Sequence, residues 1–137
     1  MRMINKEELI RNAKNASENA YSPYSNYMVG AALLAENGKT YRGCNVENAG
    51  IQSICAERVA FTKAISEGEL NFIAMAVVGK SKRSKEYELT LPCGYCREFI
   101  NEFCNEEFKI FLCNEKDEIK EYTLKELLPH SFKFKKQ

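Results

Sequence analysis

The chain has 137 residues, 45% of them hydrophobic and 28% charged, which suits one domain over 1–137 with its own core and excludes disordered, collagen-like and coiled-coil classes. Lys plus Arg number 20 against 19 Asp plus Glu, so the net charge of +1 provides no global field for nucleic acid or anionic lipid. No apolar run approaches the roughly 18 residues of a membrane span, and Met1 to Asn19 is polar and helix-like, without the apolar centre of an export signal. The expected setting is the cytoplasm, with no membrane partner.

In chain order, Asn5 to Tyr21 reads as an amphipathic helix with Leu9, Ala13, Ala16 and Ala20 on one stripe, ended by Ser22-Pro23. Met28–Ala35 and Lys39–Gly43 read as antiparallel strands joined by a type I′ turn at Asn37-Gly38. Ser53 is placed to cap a helix from Ile54 to Glu67, and Gly68 to end it. Phe72–Val78 is an unbroken apolar run, as in a strand covered on both faces. Cys93–Cys104 carries Cys96, Phe99, Ile100 and Phe103 on one helical stripe, and Phe108–Cys113 is a second buried strand. After a turn at 114–117 come an edge strand, Glu118–Tyr122, and a short helix with Thr123 and Glu126 at capping-box spacing, closed by Pro129. Helices between buried strands imply a three-layer α/β/α domain on a mixed, five-stranded and largely parallel sheet.

Six cysteines without an export signal are expected to stay reduced, which directs attention to metal or thiol chemistry. Cys93 and Cys96 form a C-x-x-C pair at a helix start, and Cys55-Ala56-Glu57 opens another helix. Three thiolates are an incomplete tetrahedral zinc shell, whose fourth position is left for water. Zn²⁺ with three S⁻ carries a formal charge of −1, which two helix N-termini and Arg58 could offset. The alternative is a closed structural zinc completed by Cys44, Cys104 or Cys113. Cys104 and Cys113 read better as small buried hydrophobes, and Glu57 taken alone could be a solvated carboxylate.

These residues resemble a known family, the small homotetrameric zinc-dependent cytidine deaminases. The resemblance runs from Tyr21-Ser22-Pro23-Tyr24-Ser25 through Gly43-Cys44-Asn45-Val46-Glu47-Asn48-Ala49, Cys55-Ala56-Glu57-Arg58 and Pro92-Cys93-Gly94-Tyr95-Cys96-Arg97 to Glu126-Leu127-Leu128-Pro129. It implies one Zn²⁺ per subunit on Cys55, Cys93 and Cys96, and hydrolytic deamination of cytidine or 2′-deoxycytidine in pyrimidine salvage, with Glu57 moving the protons. It also implies Asn45 and Glu47 on the ribose 3′-hydroxyl, Tyr27 beside the base, Ala56 against the substrate, and a C-terminal aromatic from a neighbouring subunit, for which Phe132 is the nearest match. Without the resemblance, Asn45 would read as a turn residue, Glu47 as a surface acid and Tyr27 as core. The chain departs from the family pattern at Ala49–Ile54, one residue shorter and without the aromatic that enters an adjoining subunit's site. A related aminopyrimidine nucleoside, including a blasticidin-S-like antibiotic, therefore stands as an alternative substrate.

A different class of reading starts from Lys80, Lys82, Arg83 and Lys85, with Lys133, Lys135 and Lys136 interleaved with Phe132 and Phe134, which together could bind RNA. The near-zero net charge and the lack of a long basic stripe argue against it.

Overall fold

The computed structural model describes residues 3–134 and 136; Lys135 of the basic tail lies outside them. Helix α1, Lys6–Ser17, starts where the Asn5 side chain accepts the Glu8 amide. It ends four residues before the expected Tyr21. The amides of Glu18, Asn19 and Ala20 fold back on carbonyls three residues earlier, and Tyr21 leaves to bond Asn45. Strands β1, Tyr27–Ala35, and β2, Thr40–Cys44, form the expected hairpin. Its turn is not type I′. Within it only Gly38 has positive φ, 92°, and the Gly38 amide donates to Ala35, which is a longer turn closed by a left-handed glycine.

Helix α2, Ala56–Ser66, has Cys55 rather than Ser53 at its N-cap, because Ile54 is held extended by two backbone hydrogen bonds with Val46. Gly68, at φ 93°, follows its end as expected. Strand β3 spans Phe72–Ser81, three residues beyond the apolar run, since Lys80 and Ser81 pair with Met28 and Tyr27. Helix α3, Gly94–Phe103, is followed by β4, Lys109–Cys113, and β5, Ile119–Thr123. The closing helix α4, Leu124–Leu127, carries the expected capping box of Thr123 and Glu126.

The strand order is β2-β1-β3-β4-β5, and only β3–β4 is parallel. The largely parallel sheet expected from sequence is therefore corrected to a mixed, mainly antiparallel one. α2 does connect strands that run the same way, β2 and β3, but β1 lies between them and pairs antiparallel with both.

Side-chain alternation sends successive strand residues to opposite faces. Leu33, Met75, Val77, Ile110 and Leu112 meet α2, α3 and α4 on one face; Ala32, Ala74, Ala76, Val78 and Phe111 meet Leu9, Ile10 and Ala13 of α1 on the other. Phe61 of α2 joins the layers of the first face. Its ring lies 5.0 Å from Phe72, 6.2 Å from Phe99 and 6.1 Å from Phe103. At Gly43 a Cβ would stand 2.5 Å from the Ala56 carbonyl, so the first turn of α2 rests directly on β2 only because that position is bare. The start of β1 and the ends of β2 and β3 consequently share one rim with the N-termini of α2 and α3. Among the described residues no helix is long and apolar enough to cross a membrane.

Candidate metal centre and pocket

Cys55 and Cys93 are the N-cap residues of α2 and α3, and Cys96 lies in the first turn of α3. Their three sulfurs all fall within 4.8 Å of one another. The chemistry of this set and its spacing both suit zinc. Zn–S bonds of about 2.3 Å in a tetrahedron put sulfurs about 3.8 Å apart, and Cys55 Sγ and Cys93 Sγ are 3.9 Å apart. That distance also rules out a disulfide, and all six cysteines are free. Cys44, Cys104 and Cys113 do not join the cluster among the described residues, and Cys104 and Cys113 are buried as small hydrophobes. The closed four-cysteine site is thereby set aside.

Charge around the sulfurs is uneven. A hydrogen bond from Cys96 and then the Arg58 guanidinium hold the Cys55 thiol below its usual range, while Cys96, whose proton serves Cys55 and whose side chain is buried, is pushed up. Arg58 lies beside the sulfurs. Its Nη2 donates to Cys55 Sγ at 3.7 Å and to the Ser53 carbonyl at 3.2 Å, and the guanidinium lies over the Tyr95 ring, 4.5 Å from its centre.

Glu57 follows Cys55 into the first turn of α2 and is 4% exposed. Burial pushes its carboxyl up to about 7, which equips it to hold and release a proton near neutrality. The solvated-carboxylate reading is thus excluded.

A pocket of about 290 Å³ opens on this corner, with Cys55, Ala56, Glu57 and Cys93 on its wall. Asn45, Glu47 and Tyr27 also line it. Asn45 Nδ2 donates to the Tyr27 carbonyl at 2.8 Å and its Oδ1 accepts from the Val29 amide at 3.0 Å, which fixes the side chain against β1. Glu47 accepts the Tyr24 and Ser25 amides and the Ser25 hydroxyl, and these bonds lower its pKa, so it stays an acceptor. The Tyr27 hydroxyl bonds Thr90 Oγ1 at 2.6 Å, over Gly79, where a Cβ would strike both side chains.

Phe132 stands apart. It is 69% exposed, its carbonyl accepts from Asn101, and it lines a different groove beside α3. Within one chain it does not reach the pocket. Ile51, at the tip of the shortened loop, is 94% exposed, and Asn48 Oδ1 organises that loop by accepting the Gly50 and Gln52 amides. Of the basic residues, Lys80 lies over the Tyr87 ring, Lys133 donates to the Cys104 carbonyl and Lys136 pairs with Glu102.

Sequence reading missed Ser25, Thr90 and Leu91 on the pocket wall. It also missed Arg97, whose guanidinium bonds the carbonyls of Pro92 and Leu127 and so pins the approach to Cys93 onto α4. Their closeness in sequence to Tyr24 or to the C-x-x-C pair was the available signal.

Three cysteine sulfurs able to hold a zinc ion, gathered at two helix N-termini of an α/β/α layer sandwich with an acid enclosed beside them, define the class. Residues 3–112 match the family described as the cytidine and deoxycytidylate deaminase zinc-binding region. The chain is 48% identical to a cytidine deaminase from Sporosarcina psychrophila, covering 92% of this chain and 90% of that protein. It is 44% identical to one from Halalkalibacterium halodurans, covering 94% and 95%. Among solved structures, cytidine deaminase from Burkholderia pseudomallei superposes with a TM-score of 0.84 at 39% identity, over 95% of this chain and 100% of that one. The protein belongs to the cytidine and deoxycytidylate deaminase family.

Proposed function

We infer that the protein is a zinc-dependent cytidine deaminase, hydrolysing cytidine and 2′-deoxycytidine to the uridine nucleosides and ammonia. The observation that carries this reading is the enclosed Glu57 beside three convergent sulfurs, with Glu57, Cys55 and Cys93 lining a pocket at the small end of the ligand-site range. A pocket of about 290 Å³ suits a nucleoside rather than a polymer.

Cys55, Cys93 and Cys96 would hold the zinc, which supplies a Lewis acid able to acidify water near neutral pH. Glu57 takes the first proton of the attacking water and passes it to N3 of the pyrimidine, then takes the remaining proton from the new C4 hydroxyl and gives it to the amine, which departs as ammonia while the C4 carbonyl forms. Its apolar enclosure supports this work, because a carboxylate with a raised pKa both accepts and returns a proton. Asn45 and Glu47 orient the sugar through its 3′-hydroxyl, their own hydrogen bonds to the backbone keeping them in place. Tyr27 and Ala56 flank the base. Arg58 offsets the negative charge of the sulfurs.

The enzyme acts in pyrimidine salvage in the cytoplasm, as a homotetramer in which Phe132 closes a neighbouring subunit's pocket. The exposure of Phe132, its distance from its own chain's pocket and the exposed Ile51 support that assembly. Zinc-loaded protein incubated with cytidine, deoxycytidine and blasticidin S should release ammonia from the first two, with product identified by mass. Specific activity should fall as dilution drives sedimentation from tetramer to monomer. Activity on blasticidin S alone would overturn the substrate, and a fully active monomer would overturn the shared site.

A further inference from the structure

We propose that Tyr95 is a positioning residue for the metal centre: its ring holds the Arg58 guanidinium against Cys55 and thereby slows the loss of zinc. The inference rests on reading Cys55, Cys93 and Cys96 as zinc ligands.

Arg58 is a long side chain with few commitments of its own. Nη2 donates to the Ser53 carbonyl and to the more distant sulfur of Cys55, and the guanidinium also meets Cys96. Nε is buried without a hydrogen-bond partner. Ordering such a chain costs rotamer entropy that one carbonyl bond and long contacts to sulfur offset only in part. The Tyr95 face, 4.5 Å from the guanidinium carbon, supplies the missing restraint through a cation–π contact.

The position of Tyr95 in the fold gives that contact its consequence. Tyr95 sits on the first turn of α3 between Cys93 and Cys96, while Arg58 is one turn along α2 from Cys55. The ring and the cation therefore couple the two elements that each bring part of the ligand set. Tyr95 is 69% exposed and belongs to neither hydrophobic core, so a role in core packing does not account for it.

The test follows zinc itself. Zinc-loaded protein is challenged with excess 4-(2-pyridylazo)resorcinol and the released metal is read by absorbance. Tyr95→Ala should release zinc about three- to tenfold faster than the wild type, the kinetic equivalent of an exposed to partly buried cation–π contact. Tyr95→Phe keeps the ring and should release it at the wild-type rate. In an Arg58→Gln background, Tyr95→Ala should add nothing. Should Arg58→Gln hold too little zinc for the cycle, the nitrogen-15 spectrum of zinc-loaded protein decides: the Arg58 Nε–H signal should carry a ring-current shift that Tyr95→Ala abolishes and Tyr95→Phe preserves. Unchanged zinc release in Tyr95→Ala, the same acceleration with Arg58 replaced, or an unmoved Nε–H signal would each overturn the proposal. A wild-type protein that takes up no zinc would instead overturn the ligand assignment.

Discussion

Glu57 shows how much one position can decide, since this carboxylate, two residues after Cys55, is both buried and on the pocket wall. Glu57→Gln preserves shape and removes proton transfer. It should lower kcat by about 10²- to 10⁴-fold, the usual worth of a positioned acid–base group, while metal analysis still finds zinc bound. A variant within a factor of ten of the wild type would deny Glu57 its role. At Tyr27, burial pushes the hydroxyl up to about 12 from an ordinary 10.0, with the Thr90 hydrogen bond opposing the rise and Glu88 adding to it. The unfolded chain then ionises first, so this contribution to stability is complete below pH 10 and is lost as pH rises from about 10 towards 12. Measured by urea midpoints, the advantage of the wild type over Tyr27→Phe should narrow across that window; a constant or growing advantage would contradict it. At this scale the sequence was most legible where chemistry is concentrated. Cysteine spacing singled out the three sulfurs that the fold brings together and the acid two residues after Cys55, whereas Thr90 is an ordinary threonine until the fold lays it against Tyr27 over Gly79.

The helices do their work at their ends. Cys55 and Cys93 cap α2 and α3, so the same residues that begin each helix carry the sulfurs. Sequence patterning located both helices yet placed the start of α2 two residues early, because Ser53 has the stronger capping preference and the bonds between Ile54 and Val46 are invisible locally. Phe61 keeps the two helices in register through its contacts with Phe99 and Phe103. Phe61→Ala should destabilise the fold by about 3–5 kcal/mol in denaturant unfolding, and Phe61→Leu by much less. A loss below about 1 kcal/mol for the alanine variant would show that the cluster does not hold α2 to α3.

For the whole molecule, the layers and strand count followed from alternation of apolar runs and helices, but the order of strands did not. Placing β1 between β2 and β3 depends on which edges meet after collapse, a long-range outcome that no local spacing encodes. That order brings Asn45 from the end of β2, Tyr27 from β1 and two helix starts to one rim. The central claim is that three cysteine sulfurs bind one zinc and leave its remaining position to a light atom. X-ray absorption at the zinc edge of the purified protein tests it most directly. The spectrum should show one zinc per chain with three sulfurs at about 2.3 Å and a single oxygen or nitrogen neighbour; a shell of four sulfurs, or one with none, would contradict the account.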